Sequence, residues 1–382
     1  MSFEAYRYLL MTTDPVHIGT GGMRLGRVDN SIVREPGTRL PKIPGTSLSG
    51  AIRSYAAYRY GKRICAGQGG HCGKPTCPIC YTFGSVKGEG SGESHSGVVS
   101  IGDARLLLFP VYSMAGPVWV TSPSALADFG VSGEKVNENK AKWNREITSQ
   151  NHLNLGWLMV EKDGADWTVP EELKNKNLPD QASNRIVLIS DKLYSQVVNS
   201  NLEVRTSVAI NPKTGAAEDG ALFTYEAIPR AAFLWMDVVI DDFREAFPSK
   251  KQLENWEKTL EGNEKQSREG LVSRWHLWKK GDSDEKKADS VGKALEWIKG
   301  DLKHYEKSTI PTPNEGWKKN MQKDDQDDPQ HLISAALEWA EHLGIGGMGT
   351  RGFGRIRAIA ECKIDPQNRI INCQSAKVSA KE

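Results

Sequence analysis

Four cysteines lie within sixteen residues of one another and constrain the local fold more than any other feature. They are Cys65, Cys72, Cys77 and Cys80, and the last two form a C-x-x-C pair. Four thiolates suit tetrahedral Zn²⁺ and leave no open coordination position, which favours a structural zinc over a catalytic one. The flanking residues are rich in glycine and poor in apolar side chains, so the metal would supply the folding energy. His71 is an alternative ligand in place of Cys72, and a redox pair is disfavoured because no strand–helix context frames the motif.

A second chemical signal lies in the loop around residue 29. Asp29 stands in a glycine-rich loop, with Arg24, Arg27 and Arg34 as its charged sequence neighbours. A lone carboxylate among arginines can orient an attacking hydroxyl or hold a divalent ion against a phosphate. The alternative is a loop acid that only forms salt bridges.

A helix is predicted soon after this loop, from Ser47 to about Tyr60. A Pro-Gly turn precedes it, and Thr46 or Ser47 is expected to be its N-cap. Free backbone N–H groups at such a helix start suit a phosphate, and Arg53 on the second turn could reach the same anion. The Gly-Lys-Ser/Thr order of a Walker A loop is absent, so an ordinary capped helix is the alternative.

Two later segments have patterns that suit close approach to a nucleic-acid backbone. Residues 205–223 have the form of a long hairpin, with turn residues at 211–215 and several small side chains. Residues 344–354 are rich in glycine, which lets the backbone approach a phosphate chain while Arg351 supplies charge. Either pattern alone is also compatible with a plain surface hairpin or turn.

Residues 241–328 differ in composition from the rest of the chain. They are dense in alternating charge and carry five tryptophans, with apolar residues at helical spacing. This pattern predicts a small helical insertion, with helices over 249–260, 267–280 and 283–307.

Taken together, these motifs resemble the RAMP superfamily of CRISPR proteins. The resemblance is greatest to the repeated backbone subunit of type III effector complexes, and more to the Cmr kind than to the Csm kind. The matching segments occur in the family's order, namely residues 14–22 (DPVHIGTGG), Val28-Asp29 with Arg34-Glu35, residues 40–53 (LPKIPGTSLSGAIR), residues 205–229 and residues 344–354.

The resemblance implies an α+β fold with an RRM-like, ferredoxin-like palm, a zinc knuckle, a thumb β-hairpin and a helical insertion. It implies guide crRNA and complementary target RNA as ligands, with other copies of the chain or related subunits, and the large and small subunits of the complex, as partners. Asp29 matches the loop acid that the family uses for metal-dependent cleavage of target RNA, with Mg²⁺ or another divalent ion. The RNA-binding positions implied are His17, Lys42, Ser47, Arg53, Gly346, Gly347 and Arg351.

The expected domain division follows from the same segments. Residues 1–240 form the palm, with the zinc segment at 65–80 and the thumb at 205–225. Residues 241–328 form the insertion, which departs from the family's usual shorter subunit. Residues 329–364 complete the palm, and residues 365–382 are a tail, with Cys362 and Cys373 as free thiols.

The composition restricts how the chain can bind RNA. Its 382 residues are enough for two domains or for one domain with large insertions, and its net charge of +2 is close to neutral. RNA binding therefore needs a local patch, and residues 1–63 supply one, with ten basic residues against four acidic ones. No apolar run approaches the roughly 18–20 residues of a membrane span, and no signal peptide is visible. A cytoplasmic protein with no membrane partner is expected.

Three functional hypotheses follow. The first is an endoribonuclease subunit that cleaves target RNA through Asp29. The second is a guide-RNA scaffold of the same kind of complex, with no catalytic role. The third is a guide-processing endonuclease, for which His17 is the candidate base.

Overall fold

A computed structural model describes residues 3–21, 28–67, 70–86, 94–174, 178–277, 281–310, 328–365 and 370–375. The strands in these ranges are β1 Glu4–Thr12, β2 Lys42–Ile43, β3 Val99–Ile101, β4 Ala104–Val111, β5 Val118–Thr121, β6 Lys140–Lys142, β7 His152–Leu155, β8 Leu158–Lys162, β9 Ile186–Ile189, β10 Glu203–Ile210, β11 Ala217–Ala227, β12 Phe233–Ile240, β13 Ile356–Ile364 and β14 Ile370–Ser375. The α-helices are α1 Gly45–Arg59, α2 Pro78–Phe83, α3 Pro123–Phe129, α4 Glu171–Lys174, α5 Asp180–Ser183, α6 Asp191–Ser200, α7 Lys250–Glu261, α8 Lys265–Arg274, α9 Asp284–Lys307 and α10 Pro329–Leu343.

One large mixed sheet organises the chain. Its strand order is β14-β13-β1-β12-β4-β5-β9-β6-β8-β7, with β2 added to β4 and β3 added to β12. The four neighbours β13, β1, β12 and β4 are all antiparallel. They arise from two strand–helix–strand units, β1–α1–β4 and β12–α10–β13, whose strands interleave. The predicted α+β class is thus confirmed as a large mixed sheet with helices.

The central strand β1, which the strand composition of residues 6–12 predicts, is buried on both faces. Tyr8 and Leu10 lie in the core that also holds Ile52 of α1 and Ile333 of α10. Leu9, between them, points to the opposite core beneath α3. Two apolar layers therefore hold the middle of the sheet between them.

The alternation of residues 98–109 predicts one strand, whereas the structure has two, β3 and β4. Gly102 and Asp103 interrupt it, and the Gly102 N–H donates to the Asp237 carbonyl at 2.9 Å. The interruption turns the Asp103 carboxylate to the start of α1, where the Gly45 N–H donates to it at 2.7 Å. Helix α1 consequently begins at Gly45 with Pro44 as N-cap, and the prediction of Thr46 or Ser47 as N-cap is wrong.

Three helices, α7, α8 and α9, are present where the sequence predicts the helical insertion. Ser249 and Ser283 accept hydrogen bonds from Gln252 N–H and Lys286 N–H and so cap α7 and α9. The second helix, α8, ends at Arg274, earlier than predicted. The three helices enclose a core of their own, made of Leu253, Trp256, Leu260, Leu271, Val272, Ala294 and Ile298. The domain boundary at residue 241 stays a prediction.

Two expectations for the C-terminal residues are wrong. Strand β14 pairs with β13, so residues 370–375 extend the sheet and are not part of a tail. Cys362 faces Cys373 in that register and is disulfide-bonded, so it is not a free thiol.

The predicted long hairpin is formed by β10 and β11, which make a two-stranded sheet separate from the large one. Its turn is closed by hydrogen bonds from Asn211 N–H to the Ala216 carbonyl and from Gly215 N–H to the Asn211 carbonyl. No helix in the described part of the chain is long and apolar enough to cross a membrane.

Candidate nucleic-acid interface and metal centre

Three segments that are distant in sequence meet at the base of the hairpin. Val16 pairs with Ile228 just beyond β11, and Asn30 pairs with Tyr225 within it. The glycine-rich loop joins them through a hydrogen bond from Gly347 N–H to the His17 carbonyl, at 3.0 Å. Segments that the sequence proposed separately for RNA binding therefore form one surface.

Asp29 is attached to this hairpin base by one residue, Thr224. Its Oδ2 accepts hydrogen bonds from the Thr224 N–H and the Thr224 hydroxyl, both at 2.8 Å. These two bonds lower the pKa of the Asp29 carboxyl below its usual value. Oδ1 accepts no hydrogen bond from the described residues. The carboxylate is therefore charged, fixed in orientation and available on one oxygen.

The arginine partners expected for Asp29 do not include Arg34. Its guanidinium binds Glu226 Oε1 at 2.6 Å and Asn199 Oδ1 at 2.8 Å. Arg24 and Arg27 lie outside the described residues. Among the described residues, Asp29 is thus held by a neutral threonine and by no salt bridge.

His17 lies beneath the same hairpin with 7% of its surface exposed. Its Nδ1 is 2.7 Å from the Glu226 carbonyl oxygen. Because a carbonyl only accepts, Nδ1 carries the hydrogen of this bond. A Cβ at Gly19 would lie 3.1 Å from Nε2, so glycine leaves room for the ring. A buried ring fixed in this way suits a positioning role better than the accessible base that guide processing needs.

The glycine-rich loop packs closely on the His17 segment. Gly346 has φ +90°, and a Cβ there would lie 2.6 Å from the His17 carbonyl oxygen. Only glycine fits that conformation and that space without strain. The Tyr55 hydroxyl of α1 donates to the Gly344 carbonyl and ties the loop to the helix.

Two arginines lie where this loop faces the hairpin. Arg351 donates to the Ser207 hydroxyl of β10 at 2.9 Å, and its side chain is exposed. The Arg205 guanidinium lies 4.8 Å from the centre of the Phe353 ring. Arg205 also forms an ion pair with Glu203 at 2.6 Å, so Arg351 is the arginine of the two that forms no ion pair with a described residue. RNA binding by Arg351 stays a prediction.

The start of α1 already carries an anion from within the chain. The Asp103 carboxylate accepts from Gly45 N–H at 2.7 Å and from Lys42 Nζ at 2.5 Å. That hydrogen bond raises the pKa of Lys42, and Glu35 lies 3.4 Å from the same amine. Ser47 N–H donates to the Pro44 carbonyl. RNA binding by Lys42 and Ser47 therefore stays a prediction that these contacts do not support.

Arg53 points away from the helix start, toward the cysteines. Its guanidinium donates to the Cys65 carbonyl at 2.8 Å and to the Phe83 carbonyl at 3.3 Å. Its Nη2 lies 2.8 Å from His71 Nδ1. Arg53 and His71 therefore support the cysteine segment. With its guanidinium held there, Arg53 is not directed at a phosphate that Ser47 could also bind.

The four cysteines form one cluster whose Sγ atoms all lie within 4.8 Å of one another. The Sγ distances are 3.7 Å for Cys72–Cys80, 3.8 Å for Cys77–Cys65 and 3.7 Å for Cys80–Cys65. A Zn–S bond of about 2.3 Å places the corners of a tetrahedron about 3.8 Å apart. The donor set therefore fits a zinc ion, while a disulfide would need sulfurs about 2 Å apart. His71 is not part of the cluster, so Cys72 is the fourth donor.

Three residues of this interface were not assigned by sequence reasoning. Thr224 orients Asp29, Glu226 holds His17 and Arg34, and Asp103 occupies the start of α1. Each acts on a residue more than fifty positions away, so local patterns carry no signal for it. Only the resemblance over residues 205–229 included Glu226, as part of the hairpin segment.

The chain belongs to the RAMP superfamily, whose profile matches residues 9–357. The predicted resemblance is confirmed. Among its relatives, the CRISPR system Cmr endoribonuclease Cmr4 of Pyrococcus furiosus is 28% identical over 258 residues, which cover 62% of this chain and 82% of that protein. The CRISPR system Cms endoribonuclease Csm3 of Methanothermobacter thermautotrophicus is 41% identical over 78 residues, which cover 20% of this chain and 31% of that protein.

Among solved structures, the type III-B Cmr-beta complex bound to cognate target RNA contains a similar chain. The two share 16% sequence identity and a TM-score of 0.48, over 63% of this chain and 85% of that one. The crystal structure of Cmr4 gives 23% identity and a TM-score of 0.41, over 63% and 83%.

Proposed function

We propose that this chain is a guide-RNA-binding backbone subunit of a type III CRISPR effector complex that cleaves complementary target RNA through Asp29. The observation that carries the proposal is the attachment of a charged Asp29 to the base of the hairpin by Thr224. The relatives named as endoribonucleases support the activity. The partners would be guide crRNA, target RNA, further copies or related subunits, and the large and small subunits, in the cytoplasm.

The strand order supports an RRM-like palm. Strands β13, β1, β12 and β4 with helices α1 and α10 follow the β-α-β-β-α-β succession of a ferredoxin-like fold. In an RRM such a sheet is the RNA-binding element. The glycine-rich loop and His17 lie at one end of this unit and would contact the guide backbone.

The hairpin suits the role of a thumb. Large apolar side chains are exposed along both strands, at Val204, Val208, Ile210, Leu222 and Phe223. Exposed apolar surface of this kind marks a binding face, and unstacked bases are suitable partners for it. A thumb inserted between nucleotides would displace one of them and expose the neighbouring phosphate to in-line attack.

Asp29 offers two chemical roles at that phosphate. Its available oxygen can orient the 2′-hydroxyl of the target, or it can bind a divalent ion. In the described residues, the cysteine cluster is the one group of three or more side chains placed to hold a metal. A Mg²⁺ at Asp29 would therefore take its other ligands from the RNA and from water. When bound, such an ion would stabilise charge on the phosphate oxygens.

A non-catalytic scaffold is the second candidate, and one observation favours it. Two of the hydrogen bonds that Asp29 can accept are already made within the chain, to Thr224. Such bonds would fix the loop even if the carboxylate had no chemical role. The scaffold would bind the guide on the same surface and leave cleavage to another subunit.

Cleavage of a guide-complementary RNA by the assembled complex, with and without Mg²⁺, separates the two candidates. Asp29→Asn keeps an acceptor for Thr224 but removes the charge, while Asp29→Ala removes both. We expect both variants to lose cleavage at regularly spaced sites by about 100-fold or more while guide binding is retained. The exposed Asp180→Asn in α5 is the matched control and should cleave normally. Unchanged cuts in Asp29→Ala would establish the scaffold instead.

A further inference from the structure

A cavity of about 360 Å³ lies between the cysteine segment and the helical insertion. The cysteine segment, the residues after β12 and the helices α7 and α8 all contribute to its walls. The lining includes aromatic and cationic side chains, namely Lys74, Tyr81, Arg244, Trp256, Arg274 and Trp275. The size falls within the roughly 300–1,000 Å³ of small-molecule sites.

One part of the wall is aromatic. Trp256 and Trp275 meet edge to face, with ring centres 5.1 Å apart. Tyr81 also lines the cavity, and the Arg244 guanidinium lies 4.1 Å from the centre of its ring. These rings offer flat apolar surfaces against which a planar group can pack.

The other part of the wall is cationic and lacks counter-ions. Lys74 and Arg274 form no ion pair with any described carboxylate. Arg244 donates to the Tyr81 carbonyl at 2.9 Å and to the Ser96 carbonyl at 3.2 Å, and its buried Nε has no hydrogen-bond partner. Among the described residues of the lining, Glu245 is the one that is acidic. A ligand with negative charge would therefore be attracted to the cavity.

We propose that this cavity binds a nucleotide unit, with the base against the aromatic wall and the phosphate toward Arg274, Lys74 and Arg244. Arginines bind phosphate well, and aromatic rings stack with any base. The aromatic wall favours a nucleotide over an acidic peptide, since a carboxylate chain has no planar apolar face. The unit is either a free mononucleotide or one nucleotide of an RNA strand. The proposal gives the insertion a binding role that does not depend on Asp29 or on target cleavage.

Titration calorimetry of the full chain tests the proposal with six kinds of ligand: adenosine monophosphate, uridine monophosphate, the matching nucleosides, inorganic phosphate, a short oligouridine and a short acidic peptide. Arg274→Gln combined with Lys74→Gln should weaken phosphate-containing ligands by roughly tenfold or more. Lys258→Gln, an exposed charge of α7 outside the cavity, is the matched control and should bind like the unaltered chain. Trp275→Leu should weaken nucleotides while leaving inorganic phosphate binding unchanged.

The outcomes distinguish a free mononucleotide from a nucleotide of an RNA strand as the ligand. If the unaltered chain binds mononucleotides and the double variant does not, the ligand is a free nucleotide. If only the oligouridine binds, and the double variant loses that binding, the ligand is a nucleotide of an RNA strand. If nucleosides bind as tightly as monophosphates, the cationic side chains do not bind a phosphate and that half of the proposed site is refuted. Binding of an acidic peptide but of no nucleotide, or equal affinities in the double variant and Lys258→Gln, would overturn the proposal. Circular dichroism and zinc content report whether each variant is folded.

Discussion

At the scale of single residues, Thr224 determines how Asp29 is presented. The threonine donates twice to one carboxylate oxygen, and the other oxygen accepts nothing from the described residues. A depressed pKa means that the carboxylate stays charged as the pH falls through its ordinary range. Any stability that these bonds supply is present above the unfolded pKa and is lost as the pH falls through the lower folded value.

Replacing the Thr224 hydroxyl therefore has a defined consequence. In Thr224→Val the backbone N–H bond remains and the hydroxyl bond is lost, so the pKa of Asp29 should rise toward its usual value. Carboxyl NMR titration would measure the shift, and the acidic limb of the cleavage profile should move to higher pH with it. Thr206, the cross-strand neighbour of Thr224, gives the control Thr206→Val. A pKa of Asp29 that does not change in Thr224→Val would show that the hydroxyl has no part in its charge state.

At the scale of elements, the sequence predicts those helices and strands whose own residues carry a recognisable pattern. Apolar residues at helical spacing predicted α7 and α9 to within one residue of their starts, and strand composition predicted β1. The predicted N-cap of α1 was wrong because the anion at the helix start, Asp103, comes from the break between β3 and β4, 58 residues later. Strand β14 was missed because it is stabilised by pairing with β13, which local composition does not report.

The same limit applies to the candidate site. The cysteine spacing was sufficient to predict a tetrahedral donor set, since all four ligands lie in one short segment. The identity of the acid at residue 29 was also visible in sequence. Its partner Thr224, and the turn of Arg53 toward the cysteines, depend on tertiary packing and were not predictable.

The cysteine cluster predicts one tightly bound zinc per chain. In Cys77→Ser the metal content should fall to near zero, and the segment should lose several kcal/mol of stability because the metal organises it. Elemental analysis and thermal unfolding would measure both effects. His71→Ala is the matched variant, since His71 lies outside the cluster and should leave the zinc content unchanged. Full zinc in Cys77→Ser, or its loss in His71→Ala, would contradict this ligand set.

At the scale of the whole molecule, one buried charge joins the insertion to the rest of the chain. Asp301 of α9 has 1% of its surface exposed. Its Oδ1 accepts from Lys62 Nζ at 2.6 Å, and its Oδ2 accepts from the Thr76 hydroxyl at 2.8 Å. Lys62 follows α1 and Thr76 belongs to the cysteine segment. Helix α1, the cysteine segment and the insertion are therefore joined at a single carboxylate.

A double-mutant cycle at this junction tests whether the insertion is an integral part of the fold. Asp301→Ala leaves the Lys62 ammonium buried without its partner, so it should lower the free energy of unfolding by about 3–5 kcal/mol. Lys62→Met combined with Asp301→Leu removes both charges and should cost much less, because no unpaired charge remains. Denaturant unfolding measures each variant.

The exposed pair of Lys299 with Glu261 in the same insertion supplies the comparison. Lys299→Met should change the free energy of unfolding far less than Asp301→Ala does, because water screens that pair. If Asp301→Ala costs no more than Lys299→Met, the insertion is attached by its apolar contacts and the buried charge is incidental. If the double variant is as unstable as Asp301→Ala, the hydrogen bonds to Asp301, and not the uncompensated ammonium, account for the loss.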